Sequence, residues 1–162
     1  MSKRLVAAFL CSAISLVGSN GLALADVIGR YECNLIGPTS PEPIGDRNGH
    51  SLLVIQYSCV GVDGLLKGAV YTASSISEWD GPKAVYVSGG GIHRTPGGLA
   101  VTQLTEGTGS IGMQDGKPTG NESSGKAVFK FASGILAALS GKAVRFTSKS
   151  TGFNRFNLEF AD

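Results

Sequence analysis

Short apolar runs rich in β-branched and aromatic residues, cut at close intervals by glycine, proline or Asp-Gly and Asn-Gly pairs, constrain this chain more than any other feature. A helix that buries one face repeats its apolar residues every three to four positions, whereas these runs alternate with period two, as in Phe129-Lys130-Phe131 and Phe156-Asn157-Leu158-Glu159-Phe160. The pattern predicts strands over Val27–Leu35, Ser51–Val60, Leu65–Ser74, Lys83–Ser88, Leu99–Thr105, Ser110–Met113, Gly125–Phe131, Lys142–Lys149 and Phe153–Phe160. The turns expected between them include Asp46-Arg47-Asn48-Gly49, Trp79-Asp80-Gly81-Pro82, Gly89-Gly90-Gly91 and Asp115-Gly116, where glycine accepts the positive φ of a tight hairpin. Ala132–Gly141 breaks the alternation and reads as a short helix or turn at the mouth of the sheet.

Glycine supplies 24 of the 162 residues, with no collagen-like period and no internal repeat. Glycines inside strands suit sheets that bend and backbones that approach closely. The expected fold is all-β, an antiparallel meander closing into a barrel of about eight strands with one short helical turn; a β-sandwich is the alternative.

Residues 1–25 have the parts of a cleaved secretory signal peptide. Lys3 and Arg4 precede the apolar run Leu5–Val17, and Ala23-x-Ala25 stands before Asp26. As a helix that run would span about 20 Å, short of a hydrocarbon core of about 30 Å, so a transmembrane anchor is not expected. The mature chain would then be one domain over 26–162, periplasmic or secreted, with no transmembrane segment after cleavage.

Of the 14 basic residues, Lys3 and Arg4 leave with the leader, so 12 remain against 12 acidic residues. That balance argues against a polybasic nucleic-acid surface. Of three cysteines, Cys11 lies in the leader, and Cys33 and Cys59 remain for an oxidising compartment, where they are expected to form a disulfide worth about 3.5 kcal/mol through loop closure. No Cys-x-x-Cys spacing indicates a redox role.

The segments Gly64–Thr72, Gly107–Ser110 and Gly125–Phe129 through Leu139–Lys142 resemble calycin-like barrels of the allene oxide cyclase and dirigent type. Pro41–His50 and Gln56–Cys59 are similar to uncharacterised exported proteins of Gram-negative bacteria. The first likeness implies a barrel and the second an envelope address. No acidic catalytic pair of the cyclase or dirigent families falls on matching positions, so none of their activities is carried over.

The chemistry-bearing candidates are few. His50 and His93, the two histidines, stand beside glycine-rich turns with Asp46 near the first, but their spacing fits no metal-ligand pattern, so no metal or other cofactor is expected. No Gly-x-Ser-x-Gly elbow marks a hydrolase. Gly89–Arg94 has the glycines of an anion-binding concavity without the Gly-Lys-Ser/Thr ending of a phosphate loop. In Glu78-Trp79-Asp80 a strand would put both carboxylates on one face and the ring on the other.

Tyr57, Tyr71, Trp79, Tyr86, His93, Arg94 and Gln103 are the expected lumen residues, and together they would form a site for a small apolar ligand. Two functions follow as expectations: a non-enzymatic barrel module that binds such a ligand or an envelope partner, and a barrel-type cyclase or isomerase working at the lumen mouth.

Overall fold

The computed structural model describes residues 26–162; the expected leader, Cys11 included, lies outside the described residues. The alternating runs form nine antiparallel strands: β1 (Val27–Ile36), β2 (Glu42–Pro43), β3 (His50–Gly64), β4 (Val70–Asp80), β5 (Lys83–Thr95), β6 (Gly98–Gln114), β7 (Lys117–Ala132), β8 (Ala143–Gly152) and β9 (Arg155–Ala161). From β3 to β9 every strand pairs with its sequence neighbours; β1 then pairs with β9 on one side and β3 on the other, closing an eight-stranded barrel. The short β2 stays outside, on the edge of β3 at Ser51 and Leu52. The barrel is the expected architecture, and the sandwich alternative is excluded. No helix among the described residues is long and apolar enough to cross a membrane.

The seam that closes the barrel carries the disulfide. Cys33 of β1 and Cys59 of β3 face each other in register, their Cα atoms 4.0 Å apart, and both are buried.

Several strands differ from expectation for local reasons. Leu65–Ser74 does not form one strand: residues 65–69 fold back over β3, with the Gly61 N–H bonded to the Ala69 carbonyl and the Gly68 N–H to the Gly61 carbonyl, both at 2.8 Å. This turn buries Leu66 and Ala69 completely. Leu99–Thr105 and Ser110–Met113 are one continuous strand, β6, whose register shifts between Leu104 and Glu106 instead of turning. Gly89-Gly90-Gly91 is the middle of β5 and not a turn. At Gly91 a Cβ would stand 2.5 Å from the Cβ of Ala73 on β4, so glycine is there for close approach.

The barrel's two ends differ. Leu66 and Ala69 of the β3–β4 turn, with Leu136 and Leu139 of the 3-10 helix Gly134–Leu139, plug one end. The helix thus fills the expected Ala132–Gly141 break at the closed end of the barrel. Above this plug the interior is filled by Tyr31, Tyr71, His93, Phe129 and Phe160, all buried and in mutual aromatic contact. At the other end lie the 37–49 connection and the β4–β5, β6–β7 and β8–β9 turns, and the core stops short of it.

Candidate functional site

The unfilled half of the barrel is a cavity of about 630 Å³ that opens between those turns. Strand alternation decides what faces it. Leu53, Ile55 and Tyr57 of β3, Ser75, Ser77 and Trp79 of β4, and Tyr86 of β5 point inward, while their neighbours Val54, Glu78 and Val85 face out. Leu104, Phe146 and Phe156 complete the apolar wall.

Glycine makes room for two of these rings. Gly107 and Gly125 are partners across β6 and β7, and Gly125 is in turn paired with Phe146 on β8. A Cβ at Gly107 would lie 3.0 Å from the Tyr86 ring and 3.1 Å from the Phe146 ring; one at Gly125 would meet the Glu106 carbonyl oxygen first, at 2.1 Å, and the Phe146 ring at 2.7 Å. The bare sheet lets both rings lie close against it, edge to face with centroids 6.1 Å apart.

Most polar side chains on the wall are hydroxyls, and the amides of Asn121 and Asn154 also line the cavity. The Tyr86 hydroxyl donates to Ser123 Oγ at 3.1 Å, and Ser123 shares a 2.6 Å bond with Ser148. Trp79 Nε1–H donates to Ser77 Oγ at 2.9 Å, so its donor is satisfied and the indole offers the cavity an apolar surface. Among the described residues, the inward-facing lining carries no formal charge. Glu122 is half exposed and bound to Lys149 at 2.7 Å, and Arg155 sits at the rim in solvent. Burial pushes the phenols of Tyr57, Tyr71 and Tyr86 up, so all three stay neutral.

Of the residues expected to share a lumen, Tyr57, Tyr71, Trp79 and Tyr86 line the cavity. His93 lies beneath its floor, wholly buried. Its Nδ1 is 2.7 Å from the Tyr31 hydroxyl and its Nε2 is 3.2 Å from Thr102 Oγ1, which also bonds the Tyr71 hydroxyl at 3.0 Å. We assign the Nε2–H tautomer: Tyr31 donates to Nδ1, Thr102 accepts from His93 and Tyr71, and its own hydroxyl turns toward the Gly91 carbonyl. Burial lowers the His93 pKa to about 3, so the ring is neutral and has little use as a base near pH 7.

Arg94 and Gln103 face outward. Each is one residue from an inward position, and Arg94 reaches across the outer surface to Thr72 Oγ1 at 2.9 Å. Sequence reasoning missed Leu53, Ile55, Phe146, Phe156 and the Ser123–Ser148 pair. The clean alternation of Phe156-Asn157-Leu158 was a usable signal for Phe156; the two serines carried none, because serine and threonine are spread over all the strands from β3 to β8.

Outside the barrel, at the open end, His50 stands between two carboxylates, with Nδ1 2.5 Å from Asp46 and Nε2 2.7 Å from Glu78. Arg47 bonds Asp46 and Asp80 beside it. Hydrogen bonds to Asp46 and then Glu78 raise the His50 pKa, and the bond to His50 lowers that of Asp46. The cluster ties the 37–49 connection to β4. Among the described residues no group of three or more His, Cys, Asp or Glu side chains is arranged to hold a metal ion. A second, wider concavity involves outward-facing side chains such as Arg30, Glu122, Lys149 and Glu159, whose charges already pair with each other or with Asp63.

Comparison with known proteins returns no matching family model, no matching curated protein and no matching solved structure.

Proposed function

We propose that this chain is an exported, non-enzymatic barrel that holds a small apolar ligand in its open half. The observation that carries the reading is the asymmetric interior: one half is filled by interlocking aromatic rings, and the other leaves about 630 Å³ lined by aromatic and hydroxyl side chains. Larger side chains at the lining positions would close this space, and its volume lies within the range of known small-ligand sites. Export is supported by the leader-like start and by a disulfide suited to an oxidising compartment. A proton-transferring cyclase or isomerase finds less support, because the inward-facing lining includes no carboxylate, lysine or solvent-reachable imidazole.

The test is native mass spectrometry of protein purified from its own compartment, beside a Gly109→Leu variant. A Cβ at Gly109 meets nothing closer than 3.6 Å, so a side chain can start there, and the leucine projects into the lumen and takes up part of it. A small molecule retained by the wild type and lost from the variant is the expected result. Equal retention by both would put the ligand elsewhere, and the proposal would fall.

A further inference from the structure

The proposed lumen also bears on which ligands it would admit. Among the described residues no inward-facing side chain of the cavity is charged, and the charged groups that border it, Glu122 with its Lys149 partner and Arg155, lie outside or at the rim. An ionised ligand group carried past the rim would lose its water and find no counter-charge, a costly position for a carboxylate, phosphate or ammonium. The wall is not inert to polarity, however. Tyr86, Ser123 and Ser148 form a row of three hydroxyls with two mutual bonds. Three hydroxyls contain three hydrogens, so two mutual bonds leave one hydrogen and several lone pairs for another partner. Trp79 adds no competing donor, since its N–H is held by Ser77.

Resting on the ligand-binding reading above, we infer that the lumen selects uncharged ligands with an apolar frame and one hydroxyl or carbonyl oxygen, that oxygen bonding to the Tyr86–Ser123–Ser148 row and the frame packing on Trp79, Tyr57 and Phe156. The class is that of neutral alcohols and ketones. Fatty acids, nucleotides and amines are excluded from the interior unless their charge stays at the rim.

Isosteric probes test this with the frame held constant: 1-adamantanol, 1-adamantanecarboxylate and 1-adamantylammonium, each titrated at pH 7 by calorimetry and by the fluorescence of Trp79, the one tryptophan of the chain. The alcohol is expected to bind at least about 30-fold more tightly than either ion. The double substitution Ser123→Ala and Ser148→Ala is expected to weaken the alcohol about tenfold and to leave 1-bromoadamantane, which has no oxygen, unchanged. Ions that bind as tightly as the alcohol, in wild type but not in Gly109→Leu, would overturn the ligand class and leave the lumen as the site. A hydroxyl-deleted variant that binds the alcohol as well as wild type would overturn the role of the row. If no probe bound and Trp79 never responded, the lumen reading itself would fall, and this inference with it.

Discussion

His93 lies face to face with Tyr71, their ring centroids 3.9 Å apart and their planes within 7°. The stacking holds an imidazole at the centre of an aromatic core, where its two nitrogens are bonded to Tyr31 and Thr102 and its charged form is strongly disfavoured. A histidine in this position helps to hold the barrel together while neutral and works against folding when the unfolded chain can take up a proton. The folded pKa of about 3 is below the ordinary value of about 6.5. Its contribution is therefore complete above about pH 6.5 and is lost as pH falls toward 3. By linkage, about 2 kcal/mol should disappear between pH 7 and pH 5. Urea unfolding of wild type and His93→Gln across this range measures it: the stability difference between the two should narrow as pH falls, and a constant difference would contradict the neutral buried state.

His50 works in the opposite direction. Both of its ring nitrogens face carboxylate oxygens, an arrangement that favours the doubly protonated ring, and its pKa is raised mainly by the Asp46 bond. A raised folded value means that the stabilisation is fully present below about pH 6.5 and is lost as pH rises through the folded pKa. The lowered Asp46 carboxyl contributes above its ordinary range and is lost as pH falls through its own folded value. The groups around His50 are Asp46 and Arg47 on the connection and Glu78 and Asp80 on β4, with Glu42 of β2 in line across Leu52. Amide hydrogen exchange should report faster opening of residues 37–49 as pH passes above the folded pKa of His50, after correction for intrinsic rates. His50→Gln should abolish the step, and a step that survives it would assign the effect to another group.

Gly107 tests whether ring placement or chain flexibility explains glycine in β6. Its nearest contacts would be the Tyr86 and Phe146 rings at 3.0 and 3.1 Å, not backbone. Gly107→Ala should therefore displace two rings by a few tenths of an ångström and cost about 1–3 kcal/mol. Gly107→Ala combined with Phe146→Leu should recover part of that loss, measured as a coupling in urea unfolding. Additive losses would show that the rings are not what glycine accommodates.

Much of this fold was legible in the sequence, because the barrel depends on features that are local. Alternation in Phe156–Phe160 and turn chemistry at Gly81 and Asp115-Gly116 are each set by neighbouring residues. The pairing of Cys33 with Cys59 followed from the cysteine count and an expected oxidising compartment. What failed were places where distant chain segments decide. Gly89-Gly90-Gly91 looks like a turn until Ala73 is seen against Gly91, and Leu65–Ser74 looks like a strand until Gly61 allows residues 65–69 to fold back. The lumen was half legible for the same reason. Large aromatic residues in apolar runs are natural lumen candidates, and Tyr57, Tyr71, Trp79 and Tyr86 do line the cavity, but Arg94 and Gln103 fall on the outward parity and the Ser123–Ser148 bond depends on the pairing of β7 with β8.

The disulfide offers the sharpest remaining test, because of where it sits. Cys33 and Cys59 are 26 residues apart in sequence and directly opposite across the β1–β3 seam, the pairing that turns an open sheet into a barrel. Loop closure over that separation is worth about 3.5 kcal/mol, and native packing of two buried sulfurs adds to what is lost on substitution. Cys33→Ala with Cys59→Ala should lower unfolding free energy by about 4–5 kcal/mol. The loss should also be local before it is global. Neighbours on the same seam, Glu32 with Val60 and Leu35 with Tyr57, keep their ladder bonds once the bridge is gone, and the exposed Arg30–Asp63 ion pair still spans the seam. Hydrogen exchange of the double variant should rise first in β1 and in Gln56–Gly64, while β6 and β7, which pair along most of their length, stay protected. Uniform loss of protection across all eight barrel strands would mean that the seam is not the weak line of the barrel and that the bridge acts only on the unfolded chain.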